Sequence, residues 1–388
     1  MEQEDGVLVL RLRGDPYEMG LQQGAILRDP LHDFVTEYLY GRILLDRELS
    51  GFGLGILVRH LERDVPTALR REMQGIADGA GLPYRDIVLL NAIPELLALT
   101  RWMYSCELSP MLGVEAQDSF ASCAEFAAWG QATMDGEPVA GHSVECLDAD
   151  LLSQHLVVIV RQPSHGNAFA SVSLLGLVGV WAGMNEEQIV ATIASSPSGD
   201  VASRGQMPSL LLRQALERAG NLAEAMDIIL AGRRLYGGNV ILMDGKAPEA
   251  IAIETSAHLH TVFEPDEENG VVVRTDHFLD PGLAWIQREV LPDREKLDSE
   301  ARLAELRALL APDAGWVGAR EELSFLRNDY GPQYEGSTWA DTANSVGTLH
   351  RVLFYPGKLM ISVARDNANV AGGSHVNLDL ASSLLGDP

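Results

Sequence analysis

Cysteine is scarce in this chain, with three residues among 388: Cys106, Cys123 and Cys146. An odd and sparse set of cysteines argues against a disulfide framework and favours a reducing compartment. We expect Cys106 and Cys146 to be structural, since buried free thiols usually pack as small apolar groups.

Basic residues are also few. The 29 Lys and Arg against 55 Asp and Glu give a formal net charge of −26. Such a field repels phosphate backbones and anionic lipids, so neither nucleic acid nor membrane is an expected partner. No apolar run reaches the length of a membrane span, and the run from Val7 to Leu10 is too short for a signal peptide. The expected location is the cytoplasm.

Motifs for metals, nucleotides and serine hydrolases are missing as well. The histidines show no H-E-x-x-H spacing, and neither G-x-S-x-G nor a phosphate-binding glycine loop occurs. No cofactor is therefore implied. The expected partner is a small molecule, and a homo-oligomer is compatible with the sequence.

The chain divides into a helical first part and a strand-rich second part. Apolar residues recur at helical spacing up to about Leu99, and Met103 to Ser122 has the composition of a loop. After Cys123 the pattern favours strands, apart from two amphipathic helices in the middle. We therefore predict a helical segment over residues 1–122 and a catalytic segment over 123–388. Composition and periodicity alone support a mixed α/β fold with an N-terminal helical lobe.

The end of the chain shows a helix and a closing hairpin. A charged helix is predicted for Arg294 to Leu310, with another over Glu321 to Arg327. Strands are predicted on either side of Pro356-Gly357. The tail from Asp366 is polar, and we expect it to be loosely held.

The stretch from Ser122 to Cys146 carries the main chemical hypothesis. Cys123 opens a run of small and apolar residues that predicts a buried strand, and Asp135-Gly136 is a hairpin turn signal. The returning strand carries His142 and Glu145 where they could face Cys123. A thiol opposed by an acid and a histidine is typical of an activated nucleophile, although a buried structural thiol is the alternative.

The order of motifs resembles the N-terminal-nucleophile (Ntn) hydrolases of peptidase family C45, the acyl-CoA:6-aminopenicillanic acid acyltransferase type. Four short pieces carry the resemblance, and they come in the expected order. They are the Cys123 hairpin, G-M-N-E (183–186), G-N-V-I-L-M-D-G (238–245) and R-T-D-H-F (274–278). The resemblance implies a four-layer αββα sandwich preceded by a helical pro-segment.

The resemblance also implies a mechanism. The chain would cut itself between Ser122 and Cys123, and the freed α-amine, with a pKa of about 7.7–8.0, would take the thiol proton. An acyl-Cys123 thioester would then pass its acyl group to water or to an amine. Asn239 and Asn185 would donate hydrogen bonds to the oxyanion. The substrate would be a small N-acyl amine or amino acid, or an acyl thioester donor.

Two departures from the family pattern affect this hypothesis. The family's G-x-N-x-D is G-H-S-V-E here, so Glu145 replaces the aspartate that orients the amine. Ser122 precedes the cut where glycine is frequent. An uncut chain would have no α-amine and would need His142 or Glu145 as its base.

Two alternatives therefore stay open. One is an uncut relative that hydrolyses esters or lipids with an internal thiol. The other is an inactive relative that binds a small molecule, which the altered G-H-S-V-E motif favours.

Overall fold

The computed structural model describes residues 2–4, 7–44, 51–93, 121–146, 148–265, 270–310, 347–364 and 375–385. The strands are β1 Glu2–Glu4, β2 Val7–Gly14, β3 Ala121–Ala128, β4 Val139–Cys146, β5 Leu156–Pro163, β6 Phe169–Leu174, β7 Ala182–Asn185, β8 Ile189–Ser195, β9 Gly238–Asp244, β10 Glu249–Thr255, β11 His260–Phe263, β12 Val271–Arg274, β13 Gly347–Tyr355, β14 Met360–Ala364 and β15 His375–Asp379. The α-helices are α1 Pro16–Ile26, α2 Arg28–Asp33, α3 Gly51–Leu61, α4 Thr67–Ala80, α5 Tyr84–Asn91, α6 Ala149–Ser153, α7 Pro208–Arg218, α8 Leu222–Ala231, α9 Pro281–Gln287, α10 Asp293–Leu309 and α11 Ala381–Leu385, and a π-helix spans Phe34–Ile43.

The strands form two sheets. One has nine strands in the order β1-β2-β5-β6-β7-β8-β9-β10-β11, and the other has six in the order β12-β3-β4-β13-β14-β15. Pairing is antiparallel except between β2 and β5. Side chains cross the gap between the sheets, since Glu125 on β3 contacts Thr192 on β8. The two sheets are therefore stacked face to face.

Helices cover both outer faces. Helices α7 and α8 pack on the nine-stranded sheet, beside α1 and α4. Helix α10 packs Leu303 and Leu306 against Phe126 on the outside of the six-stranded sheet. The chain is thus a four-layer αββα sandwich, as expected, and the period-2 alternation of each strand decides which layer a side chain enters.

The N-terminal segment is built into this sandwich. Strand β2 pairs in parallel with β5, so the segment supplies an edge region of the large sheet. Asp15 caps α1 in a capping box with Glu18, as its position before Pro16 predicts. Helix α1 lies very close to α4, because a Cβ on Gly20 would be 2.0 Å from the Glu72 carbonyl oxygen. The absence of a side chain at Gly20 therefore permits the close packing of these two helices.

One buried ion cluster joins this segment to the rest of the molecule. Glu72 on α4 accepts hydrogen bonds from Arg161 on β5 at 2.9 Å and from Arg213 on α7 at 3.0 Å. All three side chains are fully buried. Burial alone would raise the pKa of Glu72, but the two guanidinium groups outweigh it and lower that pKa. The contact fixes the N-terminal helical segment to the strand-rich part of the chain by charge as well as by packing.

The polar tail is a correction to the sequence analysis. His375–Asp379 forms β15, which pairs along β14, and α11 follows it. Val376 and Leu378 enter the core, while Asn377 and Asp379 are exposed. Two further expectations, the loop before Ala121 and the helix over Glu321 to Arg327, lie outside the described residues.

No helix among the described residues is long and apolar enough to cross a membrane. Within the same residues, no group of three or more His, Cys, Asp or Glu side chains could hold a metal ion.

Candidate active site

Cys123 lies on β3 and faces the gap between the two sheets. It pairs with Val144 on β4, and both side chains pack in the core between the sheets. Its neighbours Ala124 and Phe126 point to the opposite face, toward α10. The connection to β4 is longer than the predicted two-residue turn, since it runs from Trp129 to Pro138 and includes a 3-10 turn.

The peptide group of Cys123 is held on both sides by side chains. Its N–H donates to Asp276 Oδ1 at 2.8 Å, and its carbonyl accepts from Arg302 Nη1 at 2.8 Å. Arg302 Nη2 also donates to Asp276 Oδ2 at 2.6 Å. Strand β12 ends at Arg274, which pairs with Glu125, so no strand pairs with β3 on that side at Cys123. The side chains of Asp276 and Arg302 provide the hydrogen bonds that a paired strand would make there. We call Asp276 and Arg302 the Cys123 clamp.

The turn that carries Asp276 is itself anchored. Asn239 Nδ2 donates to the carbonyls of Thr275 and His277, on either side of Asp276. Gln287 Nε2 donates to the Asp276 carbonyl at 3.1 Å. Each of these bonds limits the movement of the Asp276 carboxylate.

The thiol lies in an environment that opposes its ionisation. Burial is the main cause that raises the pKa of Cys123 well above its usual range, and the charge of Asp276 adds to it. The backbone N–H of Ser195, at the end of β8, and the guanidinium of Arg302 act in the opposite direction. A thiolate here therefore needs a base close by and donors already in place.

Asn239 shares the inter-sheet layer with Cys123. Both hydrogens of its amide are used by the Thr275 and His277 carbonyls, whereas its Oδ1 is buried without a hydrogen-bond partner. In this arrangement Asn239 supports the turn under Asp276. Its role as an oxyanion donor stays a prediction.

Asn185 is not brought to the thiol. It pairs with Phe169, which packs against α7 on the outer face of the large sheet. Its amide donates to the carbonyls of Leu216 and Ala219, and its Oδ1 accepts from Ile189 N–H. The predicted oxyanion role is corrected, because the side chain is fully engaged on the other side of the sheet.

Glu145 is also on the wrong face to contact the thiol. It pairs with Ser122, one residue out of phase with Cys123, so its side chain points toward α10. There its charge helps to raise the pKa of Arg302. Asp276, not Glu145, is the carboxylate that contacts the Cys123 nitrogen.

His142 lies between the sheets but is not available as a base. Its Nδ1 is 3.2 Å from His350 Nε2, and its Nε2 is 3.1 Å from the Ile193 carbonyl oxygen. Because a carbonyl only accepts, His142 carries its proton on Nε2, and His350 donates to Nδ1. Both nitrogens are used, and burial lowers the pKa of His142 to about 4.

This histidine pair predicts acid sensitivity. The unfolded imidazoles have a pKa of about 6.5, so below that value the unfolded state binds more protons. Stability is then lost as pH falls from about 6.5 toward 4, by about 3 kcal/mol for His142. Denaturant unfolding at a series of pH values should show this loss, and a His142→Leu/His350→Leu double variant should show a smaller one.

The exposed His165 provides the control for this experiment, since His165→Gln removes an imidazole that lies at the surface. This variant should keep the wild-type acid dependence. If the double variant loses stability with acid as steeply as the wild type does, the pair is not the cause.

Sequence reasoning missed Asp276, Arg302 and Glu125. Asp276 lies inside the R-T-D-H-F piece (274–278) that carries part of the resemblance, and this position could have marked it. Arg302 sits within a charged helix and has no local signal, since only the packing of α10 on β3 brings it to Cys123.

A family model matches the part of the chain that follows Cys123. Residues 147–369 match the family model of acyl-coenzyme A:6-aminopenicillanic acid acyl-transferase. These residues are more than half of the chain, so the chain belongs to that family. The matched region includes Asn239, Asp276 and Arg302, and it begins after Cys123.

Curated relatives match in part. A protein of Archaeoglobus fulgidus is 29% identical over 65% of this chain and 44% of its own length. Protein dcd1B of Dictyostelium discoideum is 19% identical over 67% of this chain and 52% of its own length. Protein dcd1A of the same organism is 24% identical over 66% of this chain and 60% of its own length. The chain thus spans about half the length of the curated relatives it matches.

Solved structures are similar at low identity. The N-acylethanolamine-hydrolyzing acid amidase ortholog of Caenorhabditis elegans aligns with a TM-score of 0.42 at 15% identity, over 61% of this chain and 93% of that one. Conjugated bile acid hydrolase of Clostridium perfringens aligns with a TM-score of 0.46 at 13% identity, over 66% of this chain and 92% of that one. Penicillin V acylase of Agrobacterium tumefaciens aligns with a TM-score of 0.40 at 14% identity, over 69% of this chain and 94% of that one.

Proposed function

We propose that the protein is a cysteine Ntn amidohydrolase or acyltransferase that acts on a small N-acyl amine or an acyl thioester, with Cys123 as its nucleophile. The observation that carries the proposal is the clamp, in which Asp276 and Arg302 bind the nitrogen and the carbonyl of Cys123. Pairing with β12 ends at Glu125, so these side chains satisfy the backbone groups of Cys123 that the ladder leaves open, and they place a carboxylate directly beside its nitrogen.

The clamp fits the needs of an N-terminal nucleophile. If the Ser122–Cys123 bond is cut, the nitrogen beside Asp276 becomes an α-amine, and the carboxylate orients it. The amine then takes the thiol proton, and the sulfur attacks the acyl carbon of the substrate. The acyl-Cys123 thioester is released to water or to an amine acceptor. The acyl-transferase family to which the chain belongs supports acyl transfer as the reaction class.

Substitution of the nucleophile tests the proposal, and Cys146 provides a matched control. Cys146 is a second buried cysteine on the paired strand β4, and burial raises its thiol pKa to about 12. We expect Cys123→Ala to abolish hydrolysis of a panel of N-acyl amines and to remain one chain. Cys146→Ala should still hydrolyse the substrates and should still be cut into two fragments between Ser122 and Cys123. Denaturing mass spectrometry and an amine-release assay measure the two properties.

Each other outcome supports a different conclusion. A wild-type protein that stays intact but turns over through Cys123 would be the uncut relative with an internal thiol. Turnover that survives in Cys123→Ala would remove the thiol mechanism altogether.

A further inference from the structure

An uncut chain has a chemical problem that the proposed function leaves open. Before the first cut, the nitrogen of Cys123 belongs to a peptide bond and cannot accept the thiol proton. The two residues that the sequence offered do not solve it, because His142 has both nitrogens bonded and Glu145 faces α10. Asp276 is ion-paired with Arg302 and already accepts the Cys123 N–H.

Glu125 lies on the same strand face as Cys123, two residues further along β3. Alternate residues of a strand share a face and are about 7 Å apart along it, a gap that a glutamate side chain spans. The charge of Glu125 is among the causes that raise the pKa of the Cys123 thiol. The carboxyl group and the thiol therefore interact within one buried layer.

The surroundings of Glu125 leave one oxygen unoccupied. Its side chain is fully buried, and Oε2 accepts from the Thr192 hydroxyl at 2.6 Å. Its Oε1 is buried with no hydrogen-bond partner. The titratable groups around it are Cys123 on its own strand, His142 directly opposite on β4, and Arg274 and Asp276 at the end of β12.

These contacts set the basicity of the carboxylate. Burial is the main cause that raises the pKa of Glu125 to about 8, and the charge of Asp276 adds to it. The Thr192 hydroxyl, the charge of Arg274 and the backbone N–H of Ala194 act in the opposite direction. A general base works best when its pKa is close to the working pH. An ordinary carboxylate is too weak a base for a buried thiol, whereas this one is a much stronger base.

We propose that Glu125 is the general base for the first cut of the chain, taking the Cys123 thiol proton through its unpartnered Oε1. This inference rests on the proposed function, because it assumes that the chain cuts itself. The sulfur forms a bond to the Ser122 carbonyl carbon, and the carbon–nitrogen bond to Cys123 breaks as the proton passes to that nitrogen. Water then hydrolyses the thioester, which restores the thiol and leaves a carboxyl group on Ser122.

The role is limited to the precursor, since the new α-amine replaces Glu125 in later turnovers. Loss of a general base typically costs about 10²–10⁴-fold in rate. Glu125→Gln, which keeps the shape of the side chain, should therefore slow cleavage by about that factor. Thr192→Val should keep the carboxylate but shift the pH dependence of cleavage upward, because it removes the donor that lowers the pKa of Glu125.

The test follows cleavage of full-length chains made in a short cell-free translation and then moved to a pH series that brackets the pKa of Glu125. Denaturing gels and intact mass give the rate for wild type, Glu125→Gln, Thr192→Val and Cys123→Ala. Far-ultraviolet circular dichroism checks that each purified variant folds. We expect the wild-type rate to rise through the pKa of Glu125, the Thr192→Val curve to move to higher pH, and the Glu125→Gln rate to lose this rise.

The failures are distinguishable. If wild type is cut and Glu125→Gln is cut equally fast, Glu125 is not the base, while the proposed function stands. If the cleavage rate of Glu125→Gln is lower by the same factor at every pH and still rises with pH as in wild type, Glu125 has a structural role, and the inference is also overturned. If wild type is never cut, self-processing itself fails. If Glu125→Gln does not fold, the Thr192→Val curve decides, and an unshifted curve rejects the inference.

Discussion

Replacing Arg302 by Met should reduce turnover by about 10²-fold or more, because the clamp holds the nucleophile in position. The guanidinium contacts three oxygens: those of the Cys123 carbonyl, the Asp276 carboxylate and the Asp298 carboxylate. Methionine has a similar length but no donor, so Asp276 would be left buried without its cation. Breaking a buried pair in this way typically costs about 3–5 kcal/mol, and denaturant unfolding should show that loss.

Arg302→Lys should recover part of the stability but little of the turnover. A lysine restores the charge as a single point, whereas the planar guanidinium reaches several acceptors at once. Arg288→Met is the control, because Arg288 is exposed and pairs with an exposed Glu289, so its loss should change stability by about 0.5 kcal/mol or less. Wild-type turnover in Arg302→Met would show that Cys123 works without the clamp.

Replacing Glu72 by Ala should destabilise the protein by about 3–5 kcal/mol, because it leaves the buried Arg161 without its ion pair and leaves Arg213 with only Glu217, at 3.4 Å. Both guanidinium groups also lie against the ring of Phe169 and cannot turn to solvent. Against a total stability of about 5–15 kcal/mol this is a large fraction. The free energy of unfolding measures it directly.

A cut protein gives a second measure of the same contact. The helical segment would then be a separate chain held partly by Glu72, so Glu72→Ala should release it during size-exclusion chromatography. Glu187→Ala removes an exposed partner of Lys246 and is the matched control, with little expected effect. A loss in Glu72→Ala below about 1 kcal/mol would mean that the ion cluster adds nothing to the packing of α1 and α4.

Much of the fold could be predicted from the sequence, because apolar periodicity marks elements that bury one face. The helices α7, α8 and α10 and most strands fall where the pattern places them. The strand β15 was missed because it is short and follows a polar stretch, although Val376 and Leu378 do alternate with polar residues. The layer order depends on long-range pairing, which local patterns do not contain.

The site was predictable only in part, for a related reason. Cys123 and Asn239 were named from the family resemblance, and the structure places both side chains between the two sheets. The face of Glu145 depends on the strand register, and a shift of one residue moves a side chain from one face to the other. Asp276 and Arg302 come together only when α10 packs across β3, so no spacing in the sequence reveals their contact.

Locating the acyl group in a trapped intermediate tests the central claim most directly. The protein would be mixed with an activated N-acyl or thioester substrate, quenched with acid and digested for peptide mass mapping. The predicted result is an acyl group on the sulfur of Cys123, in a peptide that begins at that residue. An acyl group on Cys146, or on any other side chain while Cys123 stays unmodified, would contradict the account.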